Sequence, residues 1–176
     1  MKKLFSVKKV VCLAALGLVI CMSATACGKK SEPAEVSDTV NANVSVIEVG
    51  EKVVSEDTTL PEMVTDTSED ENAEVKFSAA CDAEYDRIDS YFHSYSKDGM
   101  ATEITIVKVA DSSDVANVMN SLSKHLEDRK GTFAEYAPEQ VTMVEDAVLV
   151  YEGNYIGLFV GEKAGLEKET FENALK

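Results

Sequence analysis

Basic residues are scarce in this chain of 176 residues. It has 17 lysines and arginines against 32 aspartates and glutamates, which gives a formal net charge of −15. Such a charge repels the phosphate backbone, so we expect no nucleic-acid partner. It also repels anionic lipid, so attachment to a membrane would require an anchor rather than a basic patch.

Recognisable catalytic and metal-binding motifs are also missing. There is no Gly-x-Ser-x-Gly elbow, no His-Glu-x-x-His motif and no closely spaced cysteine pair, and the two histidines, His93 and His125, lie on different predicted elements. Residues 66–77 alternate oxygen ligands, but Glu71 and Phe77 stand where a calcium loop needs glycine and glutamate. We therefore assign no catalytic, cofactor-binding or metal-binding residue.

The N-terminus has the three-part layout of an export signal. Residues 1–9 carry four lysines and no acid, residues 10–26 are uncharged, and small residues precede Cys27. We interpret Ala24, Thr25, Ala26 and Cys27 as a lipobox, with cleavage after residue 26 and a diacylglyceryl group on Cys27. Two acyl chains suffice for stable anchoring. The alternative is an uncleaved transmembrane anchor, for which this uncharged run is at the short limit.

Loss of residues 1–26 changes both the charge and the cysteine count. Thirteen basic residues then remain against 32 acidic ones, a net charge of −19. Cys12 and Cys21 leave with the signal, and lipidation of Cys27 leaves Cys81 as a single thiol. We therefore predict no internal disulfide, and a fold that depends on its hydrophobic core.

Residues 27–75 are predicted to form an acidic, flexible tether. Between residues 28 and 74 there are 13 acids, three lysines and no aromatic residue. Val40, Val44, Ile47 and Val54 fall near helical spacing, which indicates a short docking helix within residues 41–56.

Residues 76–176 are predicted to form an α+β domain. Strand patterns cover residues 90–96, 103–109, 147–151 and 155–160, and helical patterns cover residues 111–130 and 166–175. The order is strand, strand, helix, strand, strand, helix. It predicts a four-stranded antiparallel sheet with helices packed on one face.

Two of these strands are apolar on both faces, which indicates that the second face of the sheet is also covered. Residues 41–64, a second copy of the chain and an extracellular partner protein are the candidates for the cover. Five aromatic residues of odd parity form a candidate interaction patch: Tyr91, Tyr95, Tyr151, Tyr155 and Phe159. The alternative is a purely structural role, in which these rings are ordinary core residues.

Four segments together resemble one family. They are residues 103–108 (Glu-Ile-Thr-Ile-Val-Lys), the long helix that follows, residues 137–140 (Ala-Pro-Glu-Gln) and residues 152–155 (Glu-Gly-Asn-Tyr). With the lipobox, they are similar to lipoproteins of Clostridia-type Gram-positive bacteria that share a domain of unknown function, number four-three-five-eight. The resemblance covers about residues 91–176. It implies an exported, lipid-anchored protein, and it supplies no catalytic or ligand-binding residues.

From these observations we expect a lipid-anchored module on the outer side of the cell membrane that binds or scaffolds rather than catalyses. The alternative is a cell-envelope hydrolase with a dispersed site. A cavity that holds a carboxylate or histidine of shifted pKa would favour the enzyme, whereas a flat aromatic patch would favour binding.

Overall fold

The computed structural model of the chain describes residues 40, 41 and 43–176. The predicted signal peptide and Cys27 lie outside these residues. Within the part described, no helix is both long enough and apolar enough to span a membrane.

A five-stranded antiparallel sheet forms the centre of the domain. Its strands are β1 (Met63–Thr67), β2 (Ile88–Ser96), β3 (Glu103–Val109), β4 (Val148–Glu152) and β5 (Tyr155–Val160), in the spatial order β1-β2-β3-β5-β4. Every neighbouring pair is antiparallel. The α+β class and the antiparallel sheet are confirmed, but the prediction of four strands is wrong.

The additional strand is β1, which lies in the stretch predicted as tether. Its residues Met63 to Thr67 pair with Ser96 to Phe92 of β2 at one edge of the sheet. Three of its five residues are polar and all five are at least partly exposed, so it carries no strong strand signal. Pairing with β2 is what makes this segment a strand.

Helices cover both faces of the sheet, so the prediction that the helices pack on one face is wrong, whereas the expected cover on the second face is present. The helices α2 (Ala73–Phe77), α3 (Val115–Tyr136) and α4 (Val141–Glu145) pack on one face, around Tyr91, Val107, Leu122, Ile156 and Leu158. The helices α1 (Val46–Glu56) and α5 (Ala164–Ala174) cover the other face, around Phe92, Ile104, Ile106 and Phe159. Strands β3 and β5 are apolar on both sides for this reason.

Helix α1 approaches the sheet closely through Gly50. A Cβ atom on Gly50 would lie 2.2 Å from Cγ of Phe92, so only glycine fits at this contact. The side chain of Ser45 caps the helix by accepting a hydrogen bond from the Glu48 amide. Val46, Val49 and Val53 are its buried residues. A segment inside residues 41–64 is thus one of the two covers of the second face.

Helix α3 extends further than its sequence pattern predicts. The pattern predicts an end near Lys130 and Gly131 and a separate helical piece that carries Phe133 and Tyr136, but one continuous helix runs to Tyr136. Gly131 weakens an exposed helix by only about 1 kcal/mol. Burial of Phe133 in the core offsets that cost.

Candidate functional site

A cavity of about 470 Å³ opens on the face that carries α2 and α3, near the β2–β3 hairpin. Its lining combines charged, aromatic and apolar side chains, in contrast to the rest of this face. The lining residues are Asp66, Val75, Lys76, Ala79, His93, Tyr95, Ser96, Gly99, Met100, Glu103, His125 and Arg129.

Three neighbouring strands place the polar residues side by side. Asp66 of β1 lies opposite His93 of β2, and His93 lies opposite Thr105 of β3. Tyr95 and Glu103 form the next pair along β2 and β3. Directly opposed residues of an antiparallel pair share a face, so all five side chains belong to the same face of the sheet.

Glu103 is the buried centre of this arrangement, with 1% of its surface exposed. Its Oε1 accepts a hydrogen bond from Thr105 Oγ1 at 2.8 Å. Its Oε2 accepts one from His125 Nε2 at 3.0 Å and forms an ion pair with Arg129. His125 and Arg129 are four residues apart on α3, so one face of that helix carries both.

The pKa of Glu103 shows that its carboxylate stays ionised. Burial alone would raise the pKa, but the hydrogen bond from His125 and the attraction of the basic neighbours, Arg129 among them, outweigh burial and lower the pKa to about 2. A group with this pKa neither gives nor takes a proton near pH 7. Glu103 therefore orients its neighbours and is not a general acid or base.

His93 presents a neutral imidazole with one free ring nitrogen. Its Nδ1 lies 2.8 Å from Thr105 Oγ1, whose single proton is donated to Glu103, so Nδ1–H is the donor to Thr105. Burial lowers the pKa of His93, which keeps the ring neutral at pH 7. Nε2 thus carries a lone pair, and no described residue donates a hydrogen bond to it.

His93 lines the cavity, and its Nε2 is not among the fully buried atoms. In the part of the chain that the structure describes, the only fully buried side-chain oxygens and nitrogens without a partner belong to Asp57 and Glu167. Nε2 is therefore not fully buried, although only 5% of the surface of His93 is exposed, and His93 lines the cavity. The ring of Tyr95 stacks on the ring of His93, with centroids 4.9 Å apart.

The entrance of the cavity combines an ion-pair network with apolar side chains. Lys76 Nζ lies 2.7 Å from Asp66 and 3.2 Å from Asp70. Val75 is 71% exposed and Met100 is 37% exposed. These two are among the four large hydrophobic side chains that are exposed in residues 40, 41 and 43–176. The cavity thus offers exposed apolar surface beside its charged groups.

A second cluster of acids lies between α1 and α5, away from the cavity. Asp57 ends α1 and accepts hydrogen bonds from the amide and hydroxyl of Thr59 at 2.8 and 2.6 Å. Burial raises the pKa of the neighbouring Glu167, and the Asp57 carboxylate raises it further, to about 8. Glu167 is therefore protonated at pH 7.

The five aromatic residues of the predicted patch do not form one surface. Tyr91, Tyr155 and Phe159 are buried. Tyr91 and Tyr151 pack in the core beneath α3, whereas Tyr155 and Phe159 lie on the opposite face, beneath α1 and α5. Only Tyr95 lines the cavity over Glu103.

Tyr155 has a structural role. Its hydroxyl donates to the carbonyl of Val44 at 3.0 Å and so holds the segment that leads into α1.

Another, larger cavity lacks comparable chemistry. It measures about 650 Å³ and lies between the start of α3 and the β4–β5 turn, lined by Ser112, Val115, Ala116, Met119, Asn120, Tyr151 and Gly153. No acidic or basic side chain lines it. The cavity over Glu103 is therefore the stronger candidate despite its smaller volume.

Metal binding does not explain the cluster. In residues 40, 41 and 43–176 no group of three or more histidine, cysteine, aspartate and glutamate side chains is arranged to hold a metal ion. At Glu103, donors from Thr105, His125 and Arg129 occupy both carboxylate oxygens.

Sequence reasoning missed this site because its members are individually ordinary. Glu103 is one of 32 acids, and His125 looks like a residue at the edge of the apolar stripe of α3. The available signal was the four-residue spacing of His125 and Arg129 on one helix face, combined with His93 and Glu103 on adjacent strands.

The fold and the site define an α+β domain in which a buried, ionised carboxylate organises two histidines and an arginine beneath a cavity. The chain belongs to the family described as Domain of unknown function (DUF4358), whose model matches residues 65–161. No curated protein and no solved structure matches the chain.

The family match extends earlier in the chain than the resemblance from about residue 91 predicts, and it ends before α5. Its span includes every residue that lines the cavity over Glu103. Helices α1 and α5 lie outside it.

Proposed function

We propose that this protein is a lipid-anchored extracytoplasmic binding module that takes a small ligand in the cavity over Glu103. A diacylglyceryl group on Cys27 would hold the domain at the outer side of the cell membrane. The single observation that carries the binding role is the fully buried Glu103 carboxylate, which fixes His93, His125 and Arg129 under a cavity.

The energetics of the cluster support recognition. Moving an ionised carboxylate out of water costs several kcal/mol, and its ion pairs roughly offset that cost without a clear gain in stability. A hydrophobic side chain would fill the same position with less risk to folding. The cluster is better explained by the polar groups that it holds in place at the base of the cavity. The volume of about 470 Å³ is within the range of small-molecule sites.

The distance from the membrane is limited by the chain that joins the anchor to the fold. The first described residue is Val40. Twelve residues lie between Cys27 and Val40, and a fully extended chain spans at most about 45 Å between the two. The cavity would therefore operate close to the membrane surface, where it meets ligands of the cell envelope.

Anchoring can be tested with a clickable fatty acid in intact cells. The native chain should incorporate the label and fractionate with the membrane, and Cys27→Ala should do neither. Cys81→Ala is the matched control and should incorporate the label like the native chain. Label on the Cys27→Ala variant, or an unacylated native chain, would contradict the anchor.

Binding can be tested with a photoreactive amino acid at the cavity entrance. In place of Met100 it should form an adduct in intact cells, detected as a discrete mass increase of the purified chain. The control site is Leu166, which is equally exposed at 37% but lies on α5 and outside the cavity. Equal adducts at both positions, or none at position 100, would refute a ligand site here.

An envelope hydrolase remains the second candidate, and one observation favours it. His93 is neutral, is oriented by Thr105 and Glu103, and lines a cavity, which are properties of a general base. Turnover distinguishes the two functions. A hydrolase would release a captured ligand as two fragments, and His93→Phe would abolish the release, whereas a binding module returns the ligand intact.

A further inference from the structure

The groups at the base of the cavity restrict what a ligand must present. Nε2 of His93 is an acceptor, so the ligand needs an N–H or O–H donor to meet it. Arg129 points its Nη1 toward Glu103 and donates from Nη2 to the Met100 carbonyl at 3.0 Å. A guanidinium has five N–H groups, so others remain for a ligand oxygen. A complementary ligand therefore carries a donor and an acceptor together.

The charge of the lining disfavours an ion. Lys76 and Arg129 are balanced by Asp66 and Glu103. Asp66 is already paired with Lys76 and accepts a hydrogen bond from Tyr95 at 3.4 Å, so it offers little to a cation. Lys76 is held by two aspartates, and the chain as a whole carries a net charge of −15, so an anion gains little as well.

The entrance favours an apolar body. Val75 and Met100 expose apolar surface at the mouth, and Ala79 adds to it. Burial of such surface against the apolar part of a ligand favours binding.

We propose that the cavity takes an uncharged amphiphile with an amide-type head, whose N–H group bonds to His93 and whose carbonyl bonds to Arg129, while an apolar body packs against Val75 and Met100. This inference rests on the proposed binding function and specifies the class of ligand. It applies to any molecule with a neutral secondary or primary amide next to a hydrophobic group.

The chain offers an unusually direct probe, because His93 and His125 are its only histidines. Protein labelled with ¹⁵N-histidine therefore reports on this site alone. The experiment uses the full chain in lipid nanodiscs, with empty nanodiscs as the blank. Three ligands share one apolar body: N-acetyl-leucinamide is neutral, N-acetyl-leucinate is an anion and leucinamide is a cation.

N-acetyl-leucinamide should shift the Nε2 signal of His93 saturably and bind at least tenfold more tightly than either charged analogue. His93→Phe, which keeps a ring to stack on Tyr95, should weaken its binding about tenfold, the effect of one lost hydrogen bond of about 1.4 kcal/mol. Val75→Arg should block binding by filling the entrance. Leu166→Arg, the same exposed change on α5, should leave binding unchanged.

The outcomes separate the ligand class from the proposed function. Equal or tighter binding of a charged analogue overturns the neutral amide head but leaves a binding cavity in place. Binding that survives both His93→Phe and Val75→Arg overturns the placement of the ligand. If none of the three ligands binds but the photoreactive residue at position 100 still forms its adduct, the ligand class is overturned. If that adduct is also missing, the binding function is overturned as well.

Discussion

The stability of the fold should depend on pH between 6.5 and 8 because the buried Glu167 carboxyl group keeps a proton there that unfolding releases, and Glu167→Gln should remove this dependence. Asp57 Oδ2 and both carboxyl oxygens of Glu167 are fully buried without a hydrogen-bond donor if both groups are ionised. A proton on Glu167 supplies the missing donor, since its O–H can bond to Asp57. Lys163 is the nearest cation, with Nζ 3.6 Å from Asp57 Oδ1.

The sign follows from proton binding in the two states. Glu167 has a pKa of about 8 in the folded protein against an ordinary value of 4.5, so the folded state retains a proton that the unfolded state releases. Stability therefore falls as the pH rises from about 4.5 to about 8. One pKa unit corresponds to about 1.4 kcal/mol, so the loss between pH 6.5 and pH 8 is about 2 kcal/mol. His93 does not add to the pH dependence of stability between pH 6.5 and pH 8, because its pKa is lowered from 6.5.

Glutamine resembles the protonated acid, because its amide donates to Asp57 at every pH. Urea unfolding of Glu167→Gln should therefore give a flat free energy between pH 6.5 and pH 8. The variant should exceed the native chain by about 3 kcal/mol at pH 6.5 and by more than about 4 kcal/mol at pH 8, because the native chain loses stability from pH 4.5 upward. Glu169→Gln is the control, because Glu169 lies exposed on the same helix. Parallel pH profiles for the native chain and Glu167→Gln would refute a protonated Glu167.

Three further predictions concern packing, the buried carboxylate and the thiol. Gly50→Ala should destabilise the fold by about 1–3 kcal/mol because its Cβ collides with Phe92, whereas Gly131→Ala, with open space around it, should stabilise α3 by about 1 kcal/mol; thermal unfolding checks both, and equal effects would contradict the close approach of α1. Because the pKa of Glu103 is lowered to about 2, its ionised form adds roughly 3 kcal/mol to the free energy of unfolding above pH 4.5, and this is lost as the pH falls toward 2. Glu103→Gln should lower the free energy of unfolding at pH 7 by about that amount and remove its dependence on pH between 4.5 and 2; an unchanged pH dependence in that range would contradict the lowered pKa. Burial raises the pKa of the Cys81 thiol, so iodoacetamide should label it only as fast as the chain unfolds; rapid labelling of the folded protein would show that the thiol is accessible.

Periodicity predicted the elements whose side chains alternate between core and solvent or fill a helical stripe. Strands β2 to β5 and helices α3 and α5 lie close to their predicted positions. Strand β1 was missed because Thr65, Asp66 and Thr67 are polar in an acid-rich stretch. A short edge strand depends on hydrogen bonds to its neighbour, and those bonds leave little trace in its own sequence.

The predicted aromatic patch does not form because of the pairing register between β3 and β5. Odd residues of β2 pair with odd residues of β3, as Tyr91 does with Val107. Odd residues of β3 pair with even residues of β5, as Val107 does with Ile156. Tyr155 therefore falls on the face opposite Tyr91, although both numbers are odd. Odd and even residue numbers distinguish the two faces only within one strand. Which numbers share a face on the neighbouring strand depends on the pairing register.

The amino-acid sequence by itself determined the family, the α+β class, the antiparallel sheet and the need for cover on both faces of β3 and β5, because these follow from local patterns of apolar residues. The tertiary structure alone decided which segments provide that cover and which of the 32 acids is buried. Glu103 becomes a low-pKa carboxylate only because α3 brings His125 and Arg129 to it. Glu167 holds a proton only because Asp57, the residue that follows α1, lies beside it. Electrostatic environment is created by residues distant in the chain, so no local pattern encodes it.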